Sequence, residues 1–126
     1  VPLDAERVRG ALLNLIDNAL RAPGCRAVLV RAMVEGDSLR LDVQDDGEGV
    51  PEPLRDKVFA PFFTTRAAGT GLGLAIVQNV AAAHGGTVTC GEAPGGGARF
   101  SLRLPLDPAV QFERASRPSI PEAFAP

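Results

Sequence analysis

The sequence contains no tryptophan and no tyrosine, and among its 126 residues it has only two cysteines and one histidine. Two cysteines are too few for a disulfide scaffold, and they fit a reducing cytoplasm. Neither Cys25 nor Cys90 has a histidine or a second cysteine at the spacing of metal ligands. We therefore expect neither a disulfide-stabilised fold nor a cysteine-based metal site.

A strong charge of one sign is also missing. The chain has 13 Lys and Arg residues against 15 Asp and Glu residues, so its net charge is −2. Such a balance offers no basic field for nucleic acid or for anionic lipid. No apolar run approaches the roughly 18 residues that a membrane helix needs, and no signal sequence precedes Asp4. The composition predicts one cytoplasmic domain that contacts neither nucleic acid nor a membrane directly, whether or not a parent protein is membrane-anchored.

Polar side chains interrupt the apolar run 11–20 at three positions only. Asn14, Asp17 and Asn18 lie at helical spacing, and Arg21 follows one turn later, so all four share one face of a helix. Carboxamide oxygens suit Mg²⁺, and a guanidinium suits phosphate. The stripe therefore matches a metal-nucleotide complex, although the solvated face of an amphipathic helix would give the same pattern.

An acidic loop at 45–50 (DDGEGV) follows alternating apolar and polar residues over 38–44. The carboxylate of Asp45 offers an acceptor for an exocyclic amine, while Gly47 and Gly49 let the backbone come close to a planar ligand. These are the requirements of adenine recognition. A plain turn has the same residue types, so the loop gains its meaning from the other motifs.

A glycine-rich turn at 69–74 (GTGLGL) opens a second apolar helix. The backbone N–H groups at a helix start point outward, and the helix dipole favours an anion there. The glycine spacing fits neither the phosphate loop that ends in Lys-Ser/Thr nor the dinucleotide fingerprint, and no strand precedes it. Such a motif is weak evidence alone, but beside the other two it indicates a different kind of phosphate cradle.

With a fourth motif at 59–65 (FAPFFTT), the chain resembles the catalytic, ATP-binding domain of sensor histidine kinases, within the wider superfamily that includes gyrase, Hsp90 and MutL. Residues 14–19 (NLIDNA) resemble the N box of that family, and residues 45–49 resemble its first glycine box. The fourth motif resembles the F box, and residues 69–76 resemble the second glycine box. All four motifs stand in family order, and the resemblance covers residues 3–105.

The resemblance implies ATP and Mg²⁺ as cofactors and assigns roles to single positions. Asn18 resembles the residue that holds Mg²⁺ between the phosphates, and Asp45 resembles the carboxylate that takes the adenine amino group. Arg21 stands where the family usually has a Lys or Arg near the phosphates, and Arg66 is the candidate for neutralising the γ-phosphate. The residues expected to bind the nucleotide are Asn14, Asn18, Arg21, Asp45, Gly47, Gly49, Val50, Gly69, Thr70, Gly71, Leu72, Gly73 and Leu74.

Asn14 bears on the type of reaction. ATP-hydrolysing relatives place a Glu at this position as the general base that activates water, and Asn cannot accept the proton. The resemblance therefore implies slow ATP hydrolysis and transfer of the γ-phosphoryl to a histidine, with Asn14 and Arg66 as the catalytic candidates. Two alternatives stay open. One is a nucleotide-sensing module without transfer activity, and the other is a protein-serine kinase of the anti-sigma-factor type, which would be acidic at this position.

The single histidine, His84, ends the second helix at 83–86 (AHGG), where a cation-capable side chain and a glycine stop favour a structural role. In the family that the chain resembles, the phosphoacceptor histidine lies on a dimerising helical hairpin upstream of this region. The resemblance therefore implies two protein partners: this histidine-containing dimerisation domain and the receiver domain of a response regulator. It also implies that the chain is a fragment of a longer protein.

Turn residues and hydrophobic periods predict an α+β two-layer sandwich, and the resemblance implies the Bergerat ATP-binding fold. A mixed, mostly antiparallel sheet is covered on one face by about three helices. In the first helix we expect the apolar residues, Leu13 and Leu20 included, to be largely buried. The predicted helices are 5–21, 51–57 and the one after the glycine-rich turn, and the predicted strands are 27–34, 38–44, 87–92 and 98–104.

The chain divides into an ATP-binding domain at 1–105 and a proline-rich tail at 106–126, which we expect to be disordered or loosely docked. Only residues 66–68 separate the F box from the second glycine box. The lid over the nucleotide is therefore short and resembles the compact lids of nitrogen-regulation-type kinases. We expect Phe59 and Phe62 at its base either to pack in the core or to act as a hinge.

Overall fold

The computed structural model of the protein describes residues 3–63 and 72–106. Several sequence expectations fall outside these two ranges. They concern Arg66 and the rest of the predicted lid, the glycine-box residues 69–71, and the tail beyond Leu106.

Four strands form one sheet: β1 (Val28–Glu35), β2 (Ser38–Asp45), β3 (Thr87–Glu92) and β4 (Ala98–Pro105). Each lies within one residue of its predicted bounds. Their order across the sheet is β1-β2-β4-β3, and every pairing is antiparallel. Two hairpins therefore meet at the centre, where β2 lies beside β4, and the sheet of the described residues is purely antiparallel instead of mixed.

Two α-helices pack against this sheet and against each other: α1 at Ala5–Leu20 and α2 at Gly73–Ala83. Asp4 caps α1, since its carboxylate accepts a hydrogen bond from the backbone N–H of Arg7 at 3.2 Å. Within the described ranges, neither helix is long and apolar enough to cross a membrane.

The prediction of a short helix at 51–57 is wrong. This segment forms two separate 3-10 turns, Glu52–Leu54 and Lys57–Phe59. A seven-residue segment could close only a few i→i−4 hydrogen bonds, which is too few for a stable α-helix. Its backbone makes i→i−3 bonds instead, from the N–H of Leu54 to the carbonyl oxygen of Pro51 at 2.8 Å and from the N–H of Ala60 to that of Lys57 at 3.0 Å. Over the described residues, two α-helices and two 3-10 turns thus replace the expected three helices.

The core lies between the helices and the sheet. Phe100, Leu102 and Leu104 of β4 are buried against Leu15 of α1. The ring of Phe59 meets the ring of Phe100 edge-on, with 6.0 Å between the ring centroids and 87° between the ring planes. Burial of one large apolar side chain contributes about 1.5–3 kcal/mol to the free energy of unfolding. The buried Phe and Leu side chains between the helices and the sheet are therefore a main source of hydrophobic stabilisation.

Helix α1 buries only one stripe, which corrects the expectation that its apolar residues are largely buried. Ala11, Leu15 and Ala19 have no solvent exposure, whereas Leu13 is 54% exposed and Leu20 is 63% exposed. The sheet lies on one side of the helix only, and residues seven apart on the opposite side have nothing to pack against.

The two phenylalanines at the base of the predicted lid have different positions. Phe59 is buried in the core, but Phe62 is 73% exposed and has a left-handed backbone with φ of 64°. A bulky residue rarely adopts this conformation. Core packing is therefore the outcome for Phe59 and not for Phe62.

His84 has the structural position that its place at a helix end predicts. Its side chain is 3% exposed. Nδ1 lies 2.8 Å from the carbonyl oxygen of Val80, and Nε2 accepts a hydrogen bond from the backbone N–H of Asp4 at 2.9 Å. These two contacts define a neutral imidazole that donates through Nδ1 and accepts through Nε2. The end of α2 is thereby tied to the start of α1.

Candidate nucleotide-binding site

A cavity of about 120 Å³ opens where the three polar motifs of the sequence meet. From these motifs, Asn18 of α1, Leu74 of α2 and Asp45, Glu48, Gly49 and Val50 of the acidic loop line its wall. Five other predicted residues, Asn14, Arg21, Gly47, Leu72 and Gly73, do not line it, and Arg66, Gly69, Thr70 and Gly71 lie outside the described ranges. The fold thus brings together predicted residues that are up to 56 positions apart, from Asn18 to Leu74.

Asp45, at the end of β2, is the most constrained polar group in the cavity wall. It is 5% exposed, and its Oδ1 accepts hydrogen bonds from the backbone N–H groups of Gly47 at 2.9 Å and Ala98 at 3.2 Å. Both bonds use the same oxygen, so Oδ2 is the atom that a ligand's donor can use. A fixed acceptor at the wall of a partly open cavity suits the recognition of an amine.

The acidic loop packs tightly against the chain that leaves α1. The backbone N–H of Glu48 donates to the carbonyl oxygen of Pro23 at 3.0 Å. A Cβ on Gly47 would lie 2.8 Å from that same oxygen, which is too close for any other residue type. Glycine at this position therefore permits a backbone contact that closes one side of the cavity.

Asp46 makes a second connection between the same segments. Its Oδ1 accepts hydrogen bonds from the backbone N–H groups of Arg26 at 2.7 Å and Ala27 at 3.0 Å. These bonds stabilise the ionised carboxylate, and they hold the pKa of Asp46 below its usual value. The acidic loop and the segment after α1 are thus joined by backbone and side-chain contacts.

The polar stripe of α1 divides its roles. Asn18 belongs to the cavity wall. Arg21 instead pairs with Asp17, with 3.1 Å between Nε and Oδ2, and both side chains are about 60% exposed. Sequence reasoning expected water or a ligand to satisfy these two charges, but they satisfy each other.

Helix α2 begins beside the cavity. Leu72 precedes its first residue and provides no side-chain cap, and Leu74 in the first turn belongs to the cavity wall. The first N–H groups of an α-helix have no partner within the helix, and the dipole makes this end positive. The geometry suits an anionic group next to the cavity.

Apart from Val50 and Leu74, the apolar part of the wall was not predicted from the sequence. Leu54 and Val58 lie four residues apart, which is a visible helical spacing, and Phe63 belongs to the F box. Ala98 and Phe100 had no such signal. They reach the cavity because β4 pairs with β2, which sets Phe100 opposite Val43 and brings Ala98 to the end of that strand. The remaining wall residues are Ala22, Pro23 and Pro51.

A metal site built from protein side chains alone does not occur in the described ranges, since no three His, Cys, Asp or Glu residues are grouped there. Mg²⁺ bound with a nucleotide needs fewer protein ligands, because phosphate oxygens and water complete its octahedron. Asn18 belongs to the cavity wall, and a carboxamide oxygen is a hard donor of the required kind. The donor set therefore fits Mg²⁺ as part of a nucleotide complex.

Comparison with known proteins finds similarity to sensor histidine kinases. The model of the histidine kinase-, DNA gyrase B- and HSP90-like ATPase family matches residues 3–108. The sensor histidine kinase ZraS of Escherichia coli O157:H7 is 42% identical over 108 residues, which are 85% of this chain and 24% of that protein. The signal transduction histidine-protein kinase AtoS of Escherichia coli K12 is 40% identical over 111 residues, 85% of this chain and 18% of that protein. The chain spans less than a quarter of the length of these relatives.

Solved structures show the same fold. The catalytic domain of the histidine kinase ThkA superposes with a TM-score of 0.72 at 32% identity, and the match covers 81% of this chain and 68% of that one. Full-length ShkA in complex with AMPPNP superposes with a TM-score of 0.69 at 39% identity, over 79% of this chain and 21% of that one. The α+β arrangement described above is thus that of histidine kinase ATP-binding domains.

Proposed function

Since the chain belongs to the family of histidine kinase-, DNA gyrase B- and HSP90-like ATPases, we propose that it is the ATP-binding catalytic domain of a two-component sensor histidine kinase. It binds ATP with Mg²⁺ and donates the γ-phosphoryl to a histidine on a separate dimerisation domain. The observation that carries the proposal is the buried carboxylate of Asp45, whose Oδ1 is held by two backbone N–H groups in the wall of a mostly apolar cavity.

Asp45 selects the base. With Oδ1 engaged, Oδ2 accepts a hydrogen bond from the exocyclic amine of adenine, which is a charge-assisted bond. Guanine presents a carbonyl oxygen at the corresponding position, so two acceptors would face each other. The apolar wall formed by Leu54, Val58 and Phe63 contacts the faces and edges of the ring.

The phosphates lie between α1 and the start of α2. Asn18 would contribute a carboxamide oxygen to Mg²⁺, and the first turn of α2, which begins at Gly73 and brings Leu74 to the cavity wall, suits the phosphate oxygens. Mg²⁺ held there would supply neutralisation of the phosphate charge during transfer. The resemblance to sensor histidine kinases assigns Gly69, Thr70 and Gly71 to the phosphate cradle and Arg66 to the transferring group, and all four lie outside the described ranges.

The reaction partner is a histidine, not water. The carboxylates in the cavity wall are Asp45 and Glu48, and both belong to the loop that holds the base. A general base for water is needed at the phosphate end, where α1 has Asn14 and Asn18. Carboxamides cannot take the proton, so the γ-phosphoryl persists until an acceptor reaches it.

The acceptor is not His84, because this imidazole is buried and both of its ring nitrogens contact backbone groups. The acceptor histidine lies on a dimerisation domain outside this chain. From that histidine the phosphoryl passes to the receiver domain of a response regulator.

Transfer is tested with ATP labelled at the γ-phosphate, incubated with this chain and an added dimerisation hairpin that carries the acceptor histidine. We expect an acid-labile, base-stable phosphohistidine on the hairpin, and we expect Asn18→Ala to abolish it while the surface variant Asp56→Asn keeps it. Tight ATP binding without any label on the hairpin would support a nucleotide-sensing module. Label on serine would support the protein-serine kinase.

A further inference from the structure

The turn between β3 and β4 lies against the acidic loop, although the sequence indicates only a hairpin turn there. Gly97 is buried, and its carbonyl oxygen accepts a hydrogen bond from the backbone N–H of Ala93 at 3.0 Å. Its backbone is left-handed, with φ of 87°. The hairpin turn therefore ends in a conformation that favours glycine, at the place where the chain reaches Asp45.

The two segments touch through glycine backbone on both sides. A Cβ on Gly97 would collide with the carbonyl oxygen of Asp45 and would lie 3.0 Å from the Cα of Asp46. On the other side, a Cβ on Gly49 would lie 3.3 Å from the carbonyl oxygen of Gly97. No side chain fits between the hairpin turn and the acidic loop, so movement of either segment displaces the other.

The next residue of the turn acts on the carboxylate itself. Ala98 is 3% exposed, and its backbone N–H donates to Oδ1 of Asp45 at 3.2 Å. Its side chain is also part of the cavity wall. Together with the N–H of Gly47, this donor fixes the rotation of the carboxylate and determines which oxygen the ligand meets.

We propose that Gly97 and Ala98 are positioning residues for nucleotide recognition, which act through Asp45 to set the preference for a purine whose exocyclic amine is at C6, as in adenine. The inference rests on the proposed function, because it assumes that the cavity binds ATP. It adds that base selectivity depends on the hairpin turn as well as on the acidic loop. A Cβ at position 97 moves Asp45 or pulls the N–H of Ala98 away from it, and either change leaves the carboxylate free to rotate.

The test compares the affinities of ATP and of purine riboside triphosphate, which lacks the exocyclic amine. In the unchanged protein we expect ATP to bind on the order of tenfold or more tightly, as for a hydrogen bond to a charged acceptor. In Gly97→Ala we expect the ratio of the two affinities to fall close to one. The matched control is Gly96→Ala, because Gly96 also has a left-handed backbone, with φ of 101°, but a Cβ there would meet no atom within 4 Å.

A structural role alone would lower the thermal midpoint of both glycine variants and leave the affinity ratio unchanged. Should Gly97→Ala not fold, replacement of Ala98 by its α-hydroxy analogue, lactic acid, exchanges the single N–H for an ester oxygen and keeps the side chain. We expect that ester variant to lose the preference for ATP as well.

The outcomes separate the two proposals. An unchanged protein that prefers ATP, together with a Gly97→Ala or ester variant that keeps the full preference, would overturn the positioning role and leave the proposed function intact. An unchanged protein that binds both triphosphates equally would overturn the adenine-recognition role of Asp45 on which both depend.

Discussion

The imidazole of His84 accepts a hydrogen bond from the backbone N–H of Asp4 at 2.9 Å, across 80 positions of the sequence. Asp4 is also the N-cap of α1, and α1 carries Asn18 into the nucleotide cavity. The end of one helix thus fixes the start of the helix that reaches the proposed metal position. The function of the single histidine of this chain is therefore to join two helices.

Substitution of His84 tests this structural role. We expect His84→Ala to lower the free energy of unfolding by about 1–3 kcal/mol, since it leaves buried polar groups without their partner. Affinity for ATP should change little in the folded fraction. Denaturant unfolding of the variant measures the loss, and Gln78→Ala on an exposed position of the same helix is the control, with an expected change within about 0.5 kcal/mol. Equal stability of both variants would contradict the structural assignment.

The leucines of α1 should differ sharply in their contribution to stability. Leu15 has no solvent exposure, while Leu20 is 63% exposed. We expect Leu15→Ala to cost about 2–5 kcal/mol, because it leaves a cavity in the core, and Leu20→Ala to cost less than about 0.5 kcal/mol. Urea unfolding of the two variants measures the difference. Similar losses would mean that Leu20 is covered in solution.

The helix also shows what the sequence could and could not predict. Its helical period and the polar face with Asn18 are both readable from local spacing. Burial of Leu13 and Leu20 was predicted wrongly, because local spacing does not reveal how many sides of a helix have a neighbour. That number depends on the sheet, which covers α1 on one side only.

In the candidate site, too, the sequence predicts local patterns but not contacts between distant segments. Asp45 could be found because a carboxylate and two glycines at a strand end form a local pattern. Ala98 could not, because it is an ordinary alanine whose role comes from its backbone N–H and from the pairing of β2 with β4. Ion pairing of Arg21 with Asp17 was missed for a different reason, since the phosphate role implied by the resemblance outweighed the simpler neighbour at helical spacing.

Asp46 should make stability depend on pH in the acidic range. Hydrogen bonds from the N–H groups of Arg26 and Ala27 hold the pKa of Asp46 below its usual value of 3.8 in the folded protein. A lowered folded-state pKa stabilises the protein at pH values above the unfolded-state pKa, and this stabilisation is lost as the pH falls through the folded-state pKa.

We therefore expect Asp46→Asn to be less stable than the unchanged protein at pH 7, with a difference that shrinks toward pH 3. Urea unfolding at several pH values measures it. Asp56→Asn is the control, since the side chain of Asp56 caps no helix. A stability difference for Asp46→Asn that stays constant from pH 7 to pH 3 would contradict this role of the carboxylate.

Slow ATP hydrolysis is expected from the carboxamides of α1. The proposed function places the phosphates beside Asn14 and Asn18, neither of which can act as a general base, so the chain alone should release phosphate from Mg-ATP only slowly. Phosphate release by the purified chain measures this rate. Fast turnover that disappears in Asn18→Ala would identify an ATPase and would contradict the histidine kinase assignment.

The most direct test of ATP recognition through Asp45 is the thermal midpoint of the chain with Mg-ATP and with Mg-GTP, beside Asp45→Asn. Asparagine keeps the shape of the carboxylate but can present a donor to the adenine amine. A ligand at about 100 times its dissociation constant stabilises the folded state by about 2.7 kcal/mol, which raises the midpoint on the order of 10 °C for a domain of this size. We predict this rise with Mg-ATP only, and its loss in Asp45→Asn. Equal rises with both nucleotides, or a full rise with Mg-ATP in Asp45→Asn, would contradict the central role of Asp45.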